Sequence, residues 1–154
     1  MILSSLKTQL KKIKEQLQDK IKIAMEDEVV KKSREVMKRH LITDVYDKYT
    51  PGGKLPYIRR YEDGGLLDDS NIVTEMINDE ILRIENITTD DFDKNRYLSK
   101  IIETGIGYTW KDSDIYKKQP FPRPFMENTA DELENGSARD ALKKGLKRQG
   151  INAE

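Results

Sequence analysis

The stretch LSSLKTQLKKIKEQLQDKI, residues Leu3–Ile21, decides the fold. Leu3, Leu6, Leu10, Ile13 and Leu17 alternate three and four residues apart, and Ile21 follows four later. Side chains so spaced fall on one line of an α-helix. The spacing therefore predicts a helix with one apolar seam and charged remaining faces. Nothing local can cover the seam, so its partner bears on what the protein does.

Working outward, residues 1–50 contain neither Gly nor Pro and are dominated by helix formers. Residues 3–48 read as helical. At 1.5 Å per residue such a helix would span about 70 Å, while the other hundred or so residues would form a globule with a radius of gyration of about 13 Å. A straight helix would overhang its own domain, so it bends or leans on another chain. The seam blurs after Ile21 and resumes on a shifted stripe at Val29, Val36, Met37, Leu41 and Val45, which places a break or a change of partner near Met25–Glu28. TPGGKLP, Thr50–Pro56, ends the helix.

Beyond it, YIRRY (Tyr57–Tyr61) reads as a short strand and EDGGLLDDSN as a turn. NIVTEMI and EILRIENI, around Asn78–Asp79, read as a β-hairpin, with Ile72, Val73, Ile77, Leu82 and Ile84 as its share of the core. TTDDFDKN is a polar loop. RYLSKIIETG is a short helix, with Gly105 as its left-handed cap. IGYTWKDSDIYKKQPF is a long irregular excursion carrying the only Trp. Pro124 suits the first position of the next helix, on which Phe125, Thr129 and Leu133 share a face. NGS breaks that helix. Ser137 with Asp140 would cap a last one, turning Ala138, Leu142 and Leu146 inward and ending at Gly150. The expected class is α+β: a long N-terminal helix, a small antiparallel sheet with a hairpin, and short C-terminal helices packed on it. It forms one domain over 1–154, divided into 1–49 (helix), 55–137 (sheet and short helices) and 138–151 (last helix).

Composition narrows the chemistry. Of the 154 residues, 36% are charged and 36% hydrophobic, which allows only a thin core and favours an elongated or oligomeric protein. No 18-residue apolar run spans a membrane, and the start lacks a signal-peptide core. Zero cysteines exclude disulfides and thiol chemistry and suit an intracellular protein. Without export, the sequons at Asn86 and Asn135 carry no meaning. The net charge of zero hides a pattern: 12 Lys/Arg against 8 Asp/Glu in residues 1–48, 11 against 18 in 49–137, and 5 against 2 in 138–154. Basic ends flanking an acidic middle suit contact between neighbouring copies.

No catalytic, cofactor or metal site is expected. His40 is the sole histidine, too few for a His-rich zinc site. DFDKN has Arg96 and Ile102 where a calcium loop needs Gly and Glu. PGGK lacks the phosphate-loop spacing, and the glycines at 105–107 follow a helix rather than a strand. The carboxylate pairs Asp68/Asp69 and Asp79/Glu80 sit in turns with no apolar pocket to shift them. The basic runs at 38–40 and 143–148 read as solvated helix faces that could instead touch phosphates.

Three stretches together resemble one family. YTPGGKLPYIRRYEDGGLLDDSNI, YLSKIIETGIGYTW and PRPFMENTADELE followed by ALKKGLKRQGI resemble, in order and spacing, the neck or tail-completion proteins of long-tailed bacteriophages. The resemblance covers roughly residues 40–151; the N-terminal helix and the loop before Arg123 are longer than that pattern needs. It implies a non-enzymatic virion subunit of the head–tail junction, made in the host cytoplasm. Such subunits assemble into a ring, often six-fold, that joins or terminates the tail tube. The implied partners are copies of itself, the tail tube protein and head-closure or connector proteins, with DNA passing unbound through the lumen and no membrane. On this reading Leu3, Leu6, Leu10, Ile13 and Leu17 pack partly on their own sheet and partly on an adjacent subunit. Tyr108, Trp110, Tyr116 and Phe121 are interface anchors, and Arg59, Arg60 and Arg123 are candidate intersubunit ion-pair donors, although Arg123 before Pro124 also suits orienting the helix start. The alternative is a helical nucleic-acid-binding regulator using its basic ends.

Overall fold

The computed structural model describes residues 2–52, 58–109, 117 and 121–153. The first helix, α1 (Ile2–Ala24), passes through one wide π-helical turn, Met25–Val29, into α2 (Val30–His40), and a second such turn, Leu41–Tyr46, ends it. Ala24 and Val30 keep right-handed helical angles, so the rod is continuous. The expected change of partner near Met25–Glu28 falls on the first wide turn. A π turn inserts extra backbone and rotates the apolar stripe. Before it, every described side chain from Leu3 to Asp19 is exposed. From Ala24 onward Met25, Val29, Val36, Met37, Leu41 and Val45 are buried.

Two clusters make the core. Met37, Leu41 and Val45 meet Leu66, Leu67, Ile72 and Phe125, with Tyr46, Ile84, Ile102 and Met126 against them. Met25, Val29 and Ala141 form the second, covered by Ile21, Met76, Leu82, Ala138 and Leu142. The hairpin bridges both. Its strands β1 (Ile72–Asn78) and β2 (Ile81–Asn86) pair antiparallel, Met76 opposite Leu82 and Thr74 opposite Ile84. The Asn78 carboxamide oxygen accepts from the N–H groups of Glu80 and Ile81 and closes the turn. Strand side chains alternate between faces, so with Ile72 fully buried, Met76 also turns inward while Val73 (38% exposed) and Ile77 (53%) turn outward. The expectation that Val73 and Ile77 belong to the core is corrected by that alternation.

The strand expected at Tyr57–Tyr61 does not form over its described part. Tyr57 lies outside the described residues, Ile58–Arg60 are irregular and Tyr61 is in a bend. The described sheet has two strands, and Tyr61 stacks on Tyr46 with ring centroids 4.7 Å apart. Side-chain packing on the end of the long helix thus takes the place of a backbone ladder.

Helix α3 (Leu98–Thr104) ends at Gly105, whose φ of 67° lets its N–H reach the Ile101 carbonyl. Helix α4 (Phe125–Glu132) begins one residue after Pro124, which sits at the cap rather than inside the first turn. The Glu103 carboxylate of α3 accepts from the N–H groups of Met126 and Glu127, at 2.8 and 3.0 Å, and so caps α4 from outside it. Phe125 and Thr129 share its buried face, and Leu133 is half-buried beyond it. Gly136, at φ 128°, kinks the chain between α4 and α5 (Ala138–Arg148). Ser137 does not cap α5: its backbone is already helical, and its hydroxyl donates to Glu132. Leu146 is buried, Ala138 and Leu142 half-buried. No described helix is long and apolar enough to cross a membrane.

Candidate assembly surface and arginine pocket

The seam is bare. Leu3, Leu6, Leu10, Ile13 and Leu17 are 74, 55, 59, 60 and 43% exposed. Only Ile21, at the foot of the line, reaches the core. No described part of the sheet touches the upper seam, so the expected partial cover by the protein's own hairpin is absent. Residues 3–19 extend for about 25 Å as a helix with solvent on every face. Such a length of isolated helix is marginal in water unless its apolar stripe finds a partner.

A second feature gathers aromatic and arginine side chains where the long helix ends. Arg59 donates to the Tyr46 carbonyl at 2.8 Å, and its guanidinium stands 5.3 Å from the Tyr46 ring centroid and 5.1 Å from that of Tyr49. Arg60 pairs with Asp91 and donates to the Thr89 carbonyl. Arg123 is only 3% exposed; its Nη2 donates to the Tyr108 hydroxyl at 2.6 Å. Its backbone bridges α3 and α4, receiving at Arg123 O from Phe125 and donating to Ile102 O, in keeping with the role of orienting the helix start. Tyr46, Tyr49, Arg59, Arg60 and Arg123 border a cavity of about 70 Å³ with Leu66 and Ile102. The structure thus brings Arg59, Arg60, Arg123 and Tyr108 to one end of the molecule, away from the seam. Phe121 is exposed; Trp110 and Tyr116 lie outside the described residues.

The basic runs are largely spent on the protein's own carboxylates. Lys38 and Arg34 meet Asp69. Arg39 and His40 Nε2 both hold Glu132, and His40 Nδ1 lies 2.7 Å from Asp44. Lys144 and Arg148 converge on Glu28, which is 6% exposed. The Arg39 and His40 hydrogen bonds hold the Glu132 carboxyl below its ordinary value against the opposing effect of burial. For Asp44 burial acts upward, and the hydrogen bonds from Asn128, His40 and Thr43 outweigh it. The Lys38 ammonium lowers Asp69, and Ser70 with the Gly64 N–H lowers Asp68. Among the described residues no cluster of His, Asp or Glu is arranged to hold a metal ion.

Sequence reasoning did not single out buried Glu28. Its only signal is position: it immediately precedes Val29, where the shifted stripe begins. Sequence reasoning also missed that Arg123 shares one cavity with Arg59 and Arg60, more than sixty residues earlier in the chain.

A family model described as YomN matches residues 9–148. The SPbeta prophage-derived uncharacterized protein YomN of Bacillus subtilis (strain 168) is 38% identical over 115 residues, 75% of this chain and 73% of that protein. No solved structure matches the chain.

Proposed function

Because the chain belongs to the YomN family, with a prophage-derived relative, we propose that it is a phage virion protein of the head–tail junction whose N-terminal helix joins one subunit to the next. In this reading copies form a ring, of which six is the expected number, that joins or terminates the tail tube. The tail tube protein and the head-closure or connector proteins are its neighbours, and DNA crosses the lumen without specific contacts. The protein acts by assembly, not catalysis, in the host cytoplasm and then in the virion.

One observation carries the proposal: five Leu and Ile side chains in a 3–4 spacing stand uncovered on the part of α1, residues 3–19, where every side chain is exposed. Burying each fully is worth about 1.5–3 kcal/mol before entropy losses, enough in sum to decide between monomer and oligomer. The resemblance over residues 40–151 supplies the junction. A nucleic-acid-binding regulator is disfavoured, because Lys38, Arg39, Lys144 and Arg148 are engaged with acids of their own chain.

The test is the mass of the purified protein by light scattering, alone and with its tail-tube protein. Wild type is expected to give a discrete large species in at least one of the two conditions, and Leu10→Asp with Leu17→Asp to stay monomeric in both. A double variant that assembles like wild type would overturn the proposal.

A further inference from the structure

We propose that the cavity bordered by Arg59 and Arg123 binds one small oxyanion, a phosphate or a carboxylate. The inference rests on the pocket alone and stands whether or not the chain assembles at a head–tail junction.

Arg123 carries the argument. Its side chain is buried, and among the described residues it pairs with no carboxylate and its Nε–H has no acceptor. Buried guanidinium groups in folded proteins are paired and their N–H groups satisfied; here only the neutral Tyr108 hydroxyl is supplied. Arg59 adds a second cation. Its guanidinium stands over the Tyr46 and Tyr49 rings and gives one N–H to the Tyr46 carbonyl. Its other donors have no acceptor among the described residues. Arg60 also borders the cavity, but Asp91 balances its charge, and no Asp or Glu among the described residues lines the wall. Among the described residues that leaves two guanidiniums, Arg59 and Arg123, without a carboxylate around a small space.

The space fits the charge. A cavity of about 70 Å³ would hold about two waters at roughly 30 Å³ each, or one compact anion in their place. Val45, Leu66, Leu98 and Ile102 form its apolar remainder, and low polarity strengthens a charge-assisted hydrogen bond. The planar fork of Arg matches the paired oxygens of carboxylate and phosphate alike.

The full-length protein is titrated with sodium phosphate and, separately, with sodium acetate, each against sodium chloride at equal ionic strength, by calorimetry and thermal melting. Saturable binding at one ion per chain, with a rise in melting temperature that chloride does not give, is expected from at least one of the two. Phosphate alone would mark a tetrahedral site, acetate alone a carboxylate site. Arg59→Ala, at a half-buried position, is expected to weaken that binding at least about tenfold, the loss of a charged donor, while Arg83→Ala on the exposed hairpin leaves it intact. Arg123→Leu should abolish it; if that variant does not fold, Arg59→Ala decides. No saturable binding of either ion, or equal binding by wild type and Arg59→Ala, would overturn the proposal.

Discussion

Gly145 lies so close to Ala24 that a Cβ added to it would stand 2.7 Å from the Ala24 Cβ and 2.9 Å from the Ala24 Cα. Ala24 is 1% exposed, so this contact sets how closely α5 approaches α1. Alanine at 145 would gain about 1 kcal/mol of helix propensity, but overpacking against backbone costs about 1–3 kcal/mol. Gly145→Ala is therefore expected to lose about 1 kcal/mol net, and Gly145→Val about 3, since two further methyls meet the same wall. For a protein of this length each kcal/mol is about 2–4 °C in melting temperature.

Glu28 and its two cations are unequally placed: the carboxylate is buried, while Lys144 and Arg148 are 58 and 63% exposed in their side chains. Removing the cations strands a buried charge; removing the acid leaves an ammonium and a guanidinium in water. Lys144→Ala with Arg148→Ala is expected to cost about 1–3 kcal/mol, the penalty of an unsatisfied buried group, and Glu28→Gln less. Chemical denaturation of the three proteins at neutral pH checks the order; a larger loss from Glu28→Gln would contradict it.

The Asp44–His40–Glu132 cluster predicts acid sensitivity. Both carboxyls are lowered in the folded state, from 3.8 for Asp44 and 4.5 for Glu132. A lowered carboxyl stabilises the fold above its unfolded value, and that contribution fades as pH falls through the folded one. Melting temperature is expected to drop as pH descends from about 4.5 toward 3. Asp44→Asn with Glu132→Gln should flatten that slope without removing it, because Asp68 and Asp69 are shifted with the same sign.

Glu103 gives a local test of the joint between α3 and α4. Its two oxygens take the Met126 and Glu127 N–H groups, work normally done by the cap residue itself, which here is Pro124 and has no side-chain acceptor. Glu103→Ala is expected to cost about 1 kcal/mol, and Glu103→Gln less, since one acceptor oxygen survives. Equal losses would mean the charge, not the acceptor, matters.

What was legible in the chain was periodic or conformational. The Leu3–Ile21 spacing, the hairpin and the Gly105 cap each follow from a local rule, and each is present. The inward face of the hairpin was misread because IVTEMI is apolar on both sides of the pleat; only Ile72 docking under Phe125 settles that Met76, not Ile77, faces in. Tyr57–Tyr61 has strand composition, yet a strand needs a neighbour, and Tyr61 found Tyr46 instead. Capping by Glu103 and the meeting of Arg59 with Arg123 are tertiary facts, without any signature in neighbouring residues. Of the candidate assembly surface, the seam residues were readable as a line; that the line ends its contact with the rest of the chain at Lys20–Ile21 was not.

The bare seam separates folding from association, and that separation can be measured. Leu10 and Leu17 contribute to neither core cluster, so Leu10→Asp with Leu17→Asp should leave the folding free energy of the globular part within about 0.5 kcal/mol per site of wild type, the usual range for surface changes. A seam buried against another copy would instead give wild type a melting temperature that rises with protein concentration, since binding only the folded state stabilises it by mass action. The double variant is expected to melt at one temperature whatever its concentration, and to match wild type in the dilute limit. Scanning calorimetry over a hundredfold concentration range reads both quantities at once. A wild-type melting temperature that stays fixed across that range, with and without tail-tube protein, would leave Leu3–Leu17 without the partner their spacing calls for.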